Sequence, residues 1–594
     1  MSCNKKFLDF SPHRWYRYAK QASWGVSFVT QLPVNLDVPP IQIEHSGSLL
    51  PVIVRHVLDR IDWQPLWDAL LPYDAARTQV APSWLLLALV LNVLCHREPM
   101  VHVQQWWAEQ WIDQALAPGI RADQLNDDAL GRVLERVAQV GPALVDQTCL
   151  RILTLFGDPK SLHNDTGSLR LWGTYDHPEP TDPITITYGH SKDHRDDLKQ
   201  MLLTLSVTDR DLIASGQMAS GNLDDKTWHA DWVQHLGETL TLEQLRSVLY
   251  VGDSSFVTPK AVERADALPL RWLSRVPRIY GWVPRAVDTA WNQADQWKAF
   301  PTDANPTDAS PTDFWQAVPE TESVIGSVTV HAILVYSTAL EAQKRHTLGR
   351  RWETQRTQGE NALARAHRAP FASEAAARQA AEAWIAQHAY PGWILTAAVT
   401  SQVVPGKRLK RGRPAAHTPP PAPTTVYRLA WTWSPDDAYR QHRLQQASTL
   451  VLATSDRTLS PADMLTTYRE EYKVEHGIRW LKSPLHLDPV YLKNSDRVAG
   501  FGYVAVLALA IARLLQALVR EALVDQVPLR LPEGRAVDQP SDRVLLRLLD
   551  VPLLALKVGS FPLAWRPLRS MHPSVDRVCR LLHLNLPALL PGYT

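Results

Sequence analysis

The pattern of apolar and polar positions changes character near residue 158. Between about 50 and 155, apolar residues recur at helical spacing, as in the segment LNDDALGRVLERVAQVG. In that segment Asn126 or Asp127 is suited to cap a helix, and Gly141 is suited to end it. The pattern therefore predicts a helical domain over residues 1–157.

Beyond residue 158, short apolar runs typical of strands alternate with helical segments. The predicted strands are 161–165, 183–189, 200–208, 212–220, 247–253 and 270–277, and the predicted helices are 226–240 and 259–268. Strands, helix, strand, helix, strand is the element order of a ribonuclease H-like domain. Residues 158–277 are therefore predicted to form the first part of such a core.

Residues 278–447 interrupt this order. They contain a basic helix at 341–358 and a basic, proline-rich linker at 406–425, whose proline content favours an extended chain. Strand character returns at 448–456, and Ser460 and Pro461 are suited to begin one long helix that continues to about 482.

The predicted fold class is α/β, a ribonuclease H-like core interrupted by a large insertion domain and flanked by helical terminal regions. The predicted domains are 1–157 (helical), 158–277 (first part of the core), 278–447 (insertion domain with linker 406–425), 448–523 (second part of the core) and 524–594 (helical).

Composition narrows the class of protein. The chain has 594 residues, 45% of them hydrophobic and 21% charged, with a net charge of +1, which is typical of globular domains and gives no support for or against nucleic acid. Its four cysteines are scattered, a pattern that suits a reducing cytosol. The apolar runs 84–94 and 504–512 are too short to span a bilayer, so no membrane partner is expected.

Three acidic residues stand at positions suited to metal-dependent chemistry. Asp165 and Asp253 each close a predicted strand, and Glu475 lies in the predicted long helix, followed by Arg479 and Lys482 on the same face. Three carboxylates can hold two Mg²⁺ ions, with Mn²⁺ as an alternative, for phosphoryl transfer on nucleic acid. The competing interpretation is a pair of turn or cap aspartates and a surface Glu475–Arg479 pair worth about 0.2–0.5 kcal/mol.

Two further basic segments are candidate DNA contacts. The segment GHSKDHRDDLKQ places Lys192 and Arg195 on a predicted loop, where a phosphate-binding surface and a solvated loop are equally plausible. Arg411 and Arg413 lie in an RGRP sequence of the kind that enters a narrow A·T minor groove, although a charged flexible linker explains them as well. A zinc site built from His163, His190 and His194 has no cysteine support.

The segment YREEYKVEHGIRWLK carries a resemblance to a known family. The chain resembles the DDE transposases of bacterial insertion sequences, in the large group whose glutamate helix carries a Tyr-Arg-Glu-Lys (YREK) motif. Tyr468, Glu475 and Lys482 fall at the spacing of that motif, whereas Glu471 occupies the arginine position. Other similar segments are LNDDALGRVLERV, LHNDTGS, GHSKDHRDDLKQ and the stretch around VGDSSF, over roughly residues 45–520.

The resemblance implies catalytic, metal-binding roles for Asp165, Asp253 and Glu475, and DNA-phosphate contacts for Tyr468 and Lys482, with Arg469 or Arg479 replacing the motif arginine. It further implies cleavage of double-stranded DNA at terminal inverted repeats and joining of the ends to target DNA, by a homodimer, in the bacterial cytoplasm at the nucleoid. A tryptophan of the insertion domain would stack on a flipped base. The candidates are Trp272, Trp282, Trp291, Trp297 and Trp315.

Two other functions stay open at this point. A decayed or domesticated copy would bind DNA on the same scaffold without cutting it, which Glu471 at the arginine position favours and the presence of all three acids opposes. A metal-dependent nuclease unrelated to transposition would cut DNA without defined ends or joined products.

Overall fold

A computed structural model describes residues 41–590 except for 77, 96, 111–116, 118, 176–183, 190–194, 301–312, 407–418, 420, 484–489, 491, 559–563 and 569. The helices are α1 Leu49–Asp59, α2 Trp63–Leu70, α3 Pro82–Cys95, α4 Met100–Gln110, α5 Asp127–Thr154, α6 Asp225–Thr239, α7 Leu242–Ser247, α8 Pro259–Ala267, α9 Trp282–Asn292, α10 Thr338–Ala366, α11 Glu374–Gln387, α12 Asp437–Ser448, α13 Pro461–Arg469, α14 Tyr472–Leu481, α15 Ser495–Leu523, α16 Asp542–Leu549, α17 Pro573–Leu581 and α18 Leu586–Leu589.

The strands are β1 Ile41–Ser48, β2 Ser161–Leu171, β3 Lys199–Thr208, β4 Ile213–Ser220, β5 Leu249–Gly252, β6 Arg271–Arg275, β7 Lys298–Ala299, β8 Asp313–Ala317, β9 Val324–Ile325, β10 Val328–Thr329, β11 His331–Ser337, β12 Trp393–Val404, β13 Thr424–Pro435, β14 Thr449–Thr454, β15 Leu529–Arg530, β16 Ala536–Val537, β17 Pro552–Val558 and β18 Ala564–Pro567. The chain is thus a mixed α/β protein.

A nine-stranded mixed sheet organises the molecule, in the order β4-β3-β2-β5-β6-β14-β11-β8-β7. The β2–β5 and β5–β6 pairs are parallel and the other pairs are antiparallel. Strands β7, β8 and β11 arise from the predicted insertion segment 278–447 but extend this sheet. That segment is therefore only partly separate from the core, and its outlying part consists of α10, α11 and the long β12–β13 hairpin.

Helix α15 forms the centre of the largest hydrophobic core. It packs against α1, α3 and α5 and against the β2–β3–β4 end of the sheet, and most of its residues are fully buried. A second core lies under α6, α8 and α9, and a third lies between β5, β6, β11 and α13. Helices thus cover both faces of the sheet, which fixes the positions of the strand ends that carry the acids.

The capping predictions are confirmed at two helix starts. Asn126 and Ser460 each accept a hydrogen bond from a backbone N–H of the first turn, in α5 and α13 respectively. The predicted end at Gly141 is wrong, because α5 continues to Thr154. A Cβ at Gly141 would lie 2.2 Å from the ring of Tyr503, so this glycine serves the close packing of α5 on α15 instead of ending the helix.

Two other predictions differ from the structure. The segment predicted as a strand at 183–189 forms only an isolated bridge between Thr187 and Gln200 within its described part. The C-terminal region 524–594 was predicted to be helical, yet its β17 pairs with β1 and β18 in a three-stranded sheet. The N-terminal and C-terminal regions therefore share one structural unit, in which Ser48 donates a hydrogen bond of 2.6 Å to Asp550.

Helix α15 is long and apolar enough to cross a membrane by length and composition, with a mean hydropathy of 2.1 over its most apolar window. The helix extends beyond the apolar run 504–512 at both ends. In the structure 94% of that window is buried inside the protein. Its apolar surface is therefore already covered by α5 and the sheet.

Candidate active site

Asp165 lies in the middle of β2, where the neighbouring strand β5 ends. The sequence predicted that the strand closes at Asp165, but β2 continues to Leu171 because it stays paired with β3 along its whole length. Pairing with β5 covers only Ser161 to Asn164. Asp165 is therefore the first residue of β2 that has no partner on the β5 side.

Asp253 occupies the matching place on the next strand. It follows Gly252, which is the parallel partner of Asn164. Asp165 and Asp253 thus stand at the same level on two adjacent strands, whose separation in a sheet is about 4.8 Å. The structure brings these two predicted acids together in the middle of the sheet, at the point where β5 ends.

Hydrogen bonds hold the side chain of Asp253 in place. Its Oδ1 accepts from Nε2 of His229 at 3.2 Å, from the backbone N–H of Ser255 at 2.9 Å and from the Ser255 hydroxyl at 2.5 Å. Burial alone would raise the pKa of Asp253, yet the hydrogen bonds from His229 and Ser255 hold the pKa well below its ordinary value. Asp253 is therefore a carboxylate at neutral pH.

Helix α14 crosses the face of β2 that carries Asp165. On one side of Asp165, Nε2 of buried His163 lies 3.6 Å from Oε2 of Glu470. On the other side, Gly167 lies under Ile478, and a Cβ on that glycine would approach Cγ2 of Ile478 to 2.6 Å. The alternation of side chains along a strand puts Asp165 on the same face, under the first turns of α14.

The helix that carries the glutamates is broken, whereas the sequence predicted one long helix. Helix α13 ends at Arg469 and α14 begins at Tyr472. Between them, the amide groups of Glu471 and Lys473 bond to the carbonyls three residues earlier, a tighter turn than in an α-helix. The tightened turn rotates α14 relative to α13 and brings Glu471 to the start of α14.

Glu471 lies among the other acids. Burial raises the pKa of Glu471 to about 7, although a hydrogen bond with Tyr468 acts in the opposite direction. The negative charges of Asp253, Asp165 and Glu475 add to the rise. Sequence reasoning noted Glu471 only as a departure from the motif. Its place one turn before Glu475 was the signal that it shares a helical face with that residue.

Glu475 lies on the exposed side of the first turn of α14, and its charge reaches Glu471. The structure therefore brings Asp165, Asp253, Glu471 and Glu475 into one neighbourhood. Among the residues that the structure describes, no three His, Cys, Asp or Glu side chains already converge as a metal-binding group. The carboxylates are near one another without having closed around a common point.

Arg275 is a site residue that sequence reasoning missed. It follows Ser274, which is the parallel partner of Gly252, so Asp165, Asp253 and Arg275 form one row across three adjacent strands. Arg275 is exposed, forms no ion pair within the described part of the chain, and its charge acts on Tyr468. Its position at the end of a predicted strand was the available signal.

The motif residues surround this row. Tyr468 is half-buried against the core under α13, and burial, followed by the charge of Glu471, raises its pKa well above the ordinary value, so its hydroxyl stays protonated. Lys482 caps the end of α14. Arg479 lies on the exposed side of α14 and lines a cleft of about 820 Å³ together with residues such as Arg520 and Arg543.

Two other predicted DNA contacts pair with aspartates. Arg195 is exposed and makes two 2.7 Å hydrogen bonds to Asp197. Arg469 is paired with Asp313 of β8 at 2.8 Å, so it ties α13 to the sheet. The remaining candidates, Lys192, Arg411 and Arg413, lie outside the described residues, as do His190 and His194 of the zinc interpretation.

The five candidate tryptophans differ in burial. Trp272 is fully buried and Trp282 is 7% exposed, so both belong to the core. Trp291 donates a hydrogen bond to Thr449. Trp297 and Trp315 are half-buried and line a second cavity, of about 690 Å³. Of these two, Trp315 packs against the same core as Tyr468.

Comparisons relate this chain to a family model and to a solved structure. A family model described as a domain of unknown function (DUF4277) matches residues 42–147, and a search of curated proteins finds no match. Among solved structures, the chain is similar to a cryo-EM structure of a piggyBac transposase synaptic complex with hairpin DNA. The identity is 9% and the TM-score 0.31, over 84% of this chain and 79% of that chain. At that identity and TM-score the similarity carries no argument about activity. The geometry of the site is the basis for a functional proposal.

Proposed function

We propose that this protein is a DDE transposase of a bacterial insertion sequence, built on a ribonuclease H-like core. The strand order β4-β3-β2-β5-β6, with β2, β5 and β6 parallel, supports the core assignment. The observation that carries the proposal is the row formed by Asp165 and Asp253 at the end of β5, with Glu471 at the start of α14 and Glu475 in its first turn.

The carboxylates fit divalent cations. Oxygen ligands are those that Mg²⁺ and Mn²⁺ prefer. Burial and then the negative charges of the neighbouring acids raise the pKa of Glu471, and a bound cation would relieve the repulsion between those charges. Asp165, Asp253 and Glu475 would hold the ions, and Glu471 adds a fourth carboxylate beside them. Two such ions, when bound, activate the attacking oxygen and stabilise the leaving oxygen in phosphoryl transfer.

The cations around the acids suit a DNA backbone. Arg275 stands beside Asp253 without an ion-pair partner among the described residues, so it is available for the phosphate contact that Glu471 does not make. Lys482 and Arg479 would contact phosphates at the end and on the outer side of α14. The hydroxyl of Tyr468 would donate a hydrogen bond to the substrate or to Glu471, which it would then orient.

The remaining parts of the chain have proposed roles in assembly. The helical N-terminal region, 1–157, would bind the terminal inverted repeats, and the outlying part of 278–447 would contact DNA through Arg411 and Arg413. Lys192 and Arg195 would add contacts beside the site. Synapsis of two ends calls for a homodimer, acting at the nucleoid in the bacterial cytoplasm.

A strand-transfer assay tests the proposal. The full-length protein is incubated with linear DNA that carries the sequences flanking its coding frame, together with a target plasmid and Mg²⁺ or Mn²⁺. We expect cleavage at matching inverted repeats and joined products, both abolished by EDTA. End binding without cleavage would overturn the proposal in favour of a non-cutting DNA-binding protein. Cleavage that ignores the ends and yields no joined products would indicate a metal-dependent nuclease.

The non-cutting alternative is the second candidate function. Glu471 adds negative charge at the place where the motif has a phosphate-binding arginine, and this weakens attraction for DNA at the site itself. Two variants separate the possibilities within one assay. If the chain is an active enzyme, Glu471→Arg and Glu471→Gln should change the cleavage rate, whereas in a non-cutting protein they should change DNA affinity alone.

A further inference from the structure

Tyr250 and His229 form a buried pair directly behind Asp253. Tyr250 is on β5 and His229 is on α6, and their exposed fractions are 0% and 1%. Nδ1 of His229 lies 2.7 Å from the Tyr250 hydroxyl, and Nε2 lies 3.2 Å from Oδ1 of Asp253. The three side chains thus form a continuous hydrogen-bonded chain that ends at Asp253.

The direction of this chain follows from the chemistry of its members. Because the Oδ1 of the Asp253 carboxylate can only accept, Nε2 of His229 carries a hydrogen and donates it. In the tautomer with its hydrogen on Nε2, Nδ1 accepts from the Tyr250 hydroxyl. The rings of Phe256 and Trp228 pack edge-on against the imidazole, with centroids 6.0 and 4.9 Å away. The imidazole is therefore fixed in both its tautomer and its orientation.

The same geometry distinguishes the two oxygens of Asp253. Oδ1 receives hydrogen bonds from His229 and from both the N–H and the hydroxyl of Ser255, whereas no donor from the described residues reaches Oδ2. The Ser274 hydroxyl also donates to the backbone carbonyl of Asp253 at 2.8 Å. Oδ1 is thus occupied by hydrogen bonds within the protein, and Oδ2 is available to a ligand.

We propose that Tyr250 and His229 are positioning residues that hold Asp253 in the rotamer that presents Oδ2 to a divalent cation. The inference rests on the proposed function in taking Asp253 as a metal ligand. Hydrogen-bonded partners behind a ligating group commonly change metal affinity by 10–100-fold when they are removed. In contrast, a purely structural hydrogen bond in the core would affect stability alone.

The test measures Mn²⁺ binding to the full-length protein by electron paramagnetic resonance, without DNA, beside the thermal midpoint of unfolding. His229→Leu removes the donor, and His229→Gln keeps an N–H donor at a similar reach. Tyr250→Phe removes only the hydroxyl that sets the tautomer, and Asp253→Asn reports the site itself. The matched control is His235→Leu, on the same helix, where His235 lies 3.8 Å from Asp146, away from the end of β5.

We expect the Mn²⁺ dissociation constant to rise about 10–100-fold in His229→Leu. It should rise less in Tyr250→Phe, return towards the native value in His229→Gln, and stay unchanged in His235→Leu. The inference is overturned if Asp253→Asn weakens Mn²⁺ binding while His229→Leu and Tyr250→Phe do not, or if His229→Gln is as impaired as His229→Leu. If Asp253→Asn itself leaves Mn²⁺ binding unchanged, the proposed metal site fails instead, and the positioning role fails with it.

Discussion

His163 and Glu470 join strand β2 to the junction between α13 and α14, with 3.6 Å between Nε2 and Oε2. Burial alone would raise the pKa of Glu470, but the neighbouring His163 and Lys473 lower it. Nζ of Lys473 also donates to the backbone carbonyl of Asp209 at 2.5 Å. These contacts fix the start of α14, and with it the positions of Glu471 and Glu475.

The contact between Gly167 and Ile478 should determine how closely α14 packs on β2. Gly167→Ala would place a methyl group 2.6 Å from Ile478 and push the helix away from Asp165. We expect a loss of about 1–3 kcal/mol in the free energy of unfolding and a larger loss of cleavage. Ile478→Ala in the same chain should restore part of the cleavage. Urea unfolding and the cleavage assay provide the measurements, and native behaviour of Gly167→Ala would contradict the packing account.

Substitution of the acids should separate chemistry from binding. Asp165→Asn, Asp253→Asn and Glu475→Gln should each lower the cleavage rate by more than about 100-fold, because each removes a proposed metal bond. Removing a hydrogen-bonded partner of a metal ligand costs at most about 100-fold, and loss of the ligand itself should cost more. DNA-end affinity, measured by gel shift, should stay near the native value. Substantial residual cleavage in all three variants would remove the assignment.

Arg275 should act on DNA through its charge. Arg275→Ala should weaken DNA binding similarly for all sequences and reduce the slope of log affinity against log salt by about 1, as expected for one lost phosphate contact. Arg246→Ala is the matched control, because Arg246 is an exposed arginine on α7, just before β5 starts, at the opposite end of that strand. Equal salt slopes in the two variants would exclude the phosphate contact.

Lys482 should contribute charge without a metal bond. Lys482→Ala is therefore expected to slow cleavage without abolishing it, whereas Lys482→Arg should keep most of the rate because it preserves the charge. Single-turnover cleavage rates at saturating protein measure both effects. A loss as deep as that of the acid variants would assign Lys482 a different role.

Asp456 should make the fold sensitive to acid. Its carboxylate is 8% exposed and accepts from Nε of Arg271 at 2.8 Å, joining the ends of β6 and β14. Burial alone would raise the pKa of Asp456, but hydrogen bonds from Thr458 and Arg271 lower it below the ordinary value. A carboxyl group whose pKa is lower in the folded than in the unfolded protein stabilises the fold at pH values above its unfolded pKa. That stabilisation is lost as the pH falls through the pKa of the folded state.

Asp456→Asn should therefore lower the free energy of unfolding by roughly 1–3 kcal/mol at pH 7. The difference from the native protein should shrink below about pH 4, the unfolded pKa of an aspartate, as the pH falls towards the lowered pKa of Asp456 in the folded protein. Thermal unfolding across this pH range measures the difference. A gap that stays constant down to pH 3 would show that charge at Asp456 is not what stabilises this joint.

The amino-acid sequence by itself determined most of the strands and helices between 158 and 277, the helix caps at Asn126 and Ser460, and the place of Asp253 at the end of a strand. These features depend on periodicity and on hydrogen bonds between residues close along the chain. Tertiary structure decided that strands from 298–337 extend the sheet, that the glutamate helix breaks before Tyr472, and that Arg275 and His229 adjoin Asp253. Those outcomes depend on pairing between distant segments, such as Leu273 with Thr454, and on burial, which no local pattern encodes.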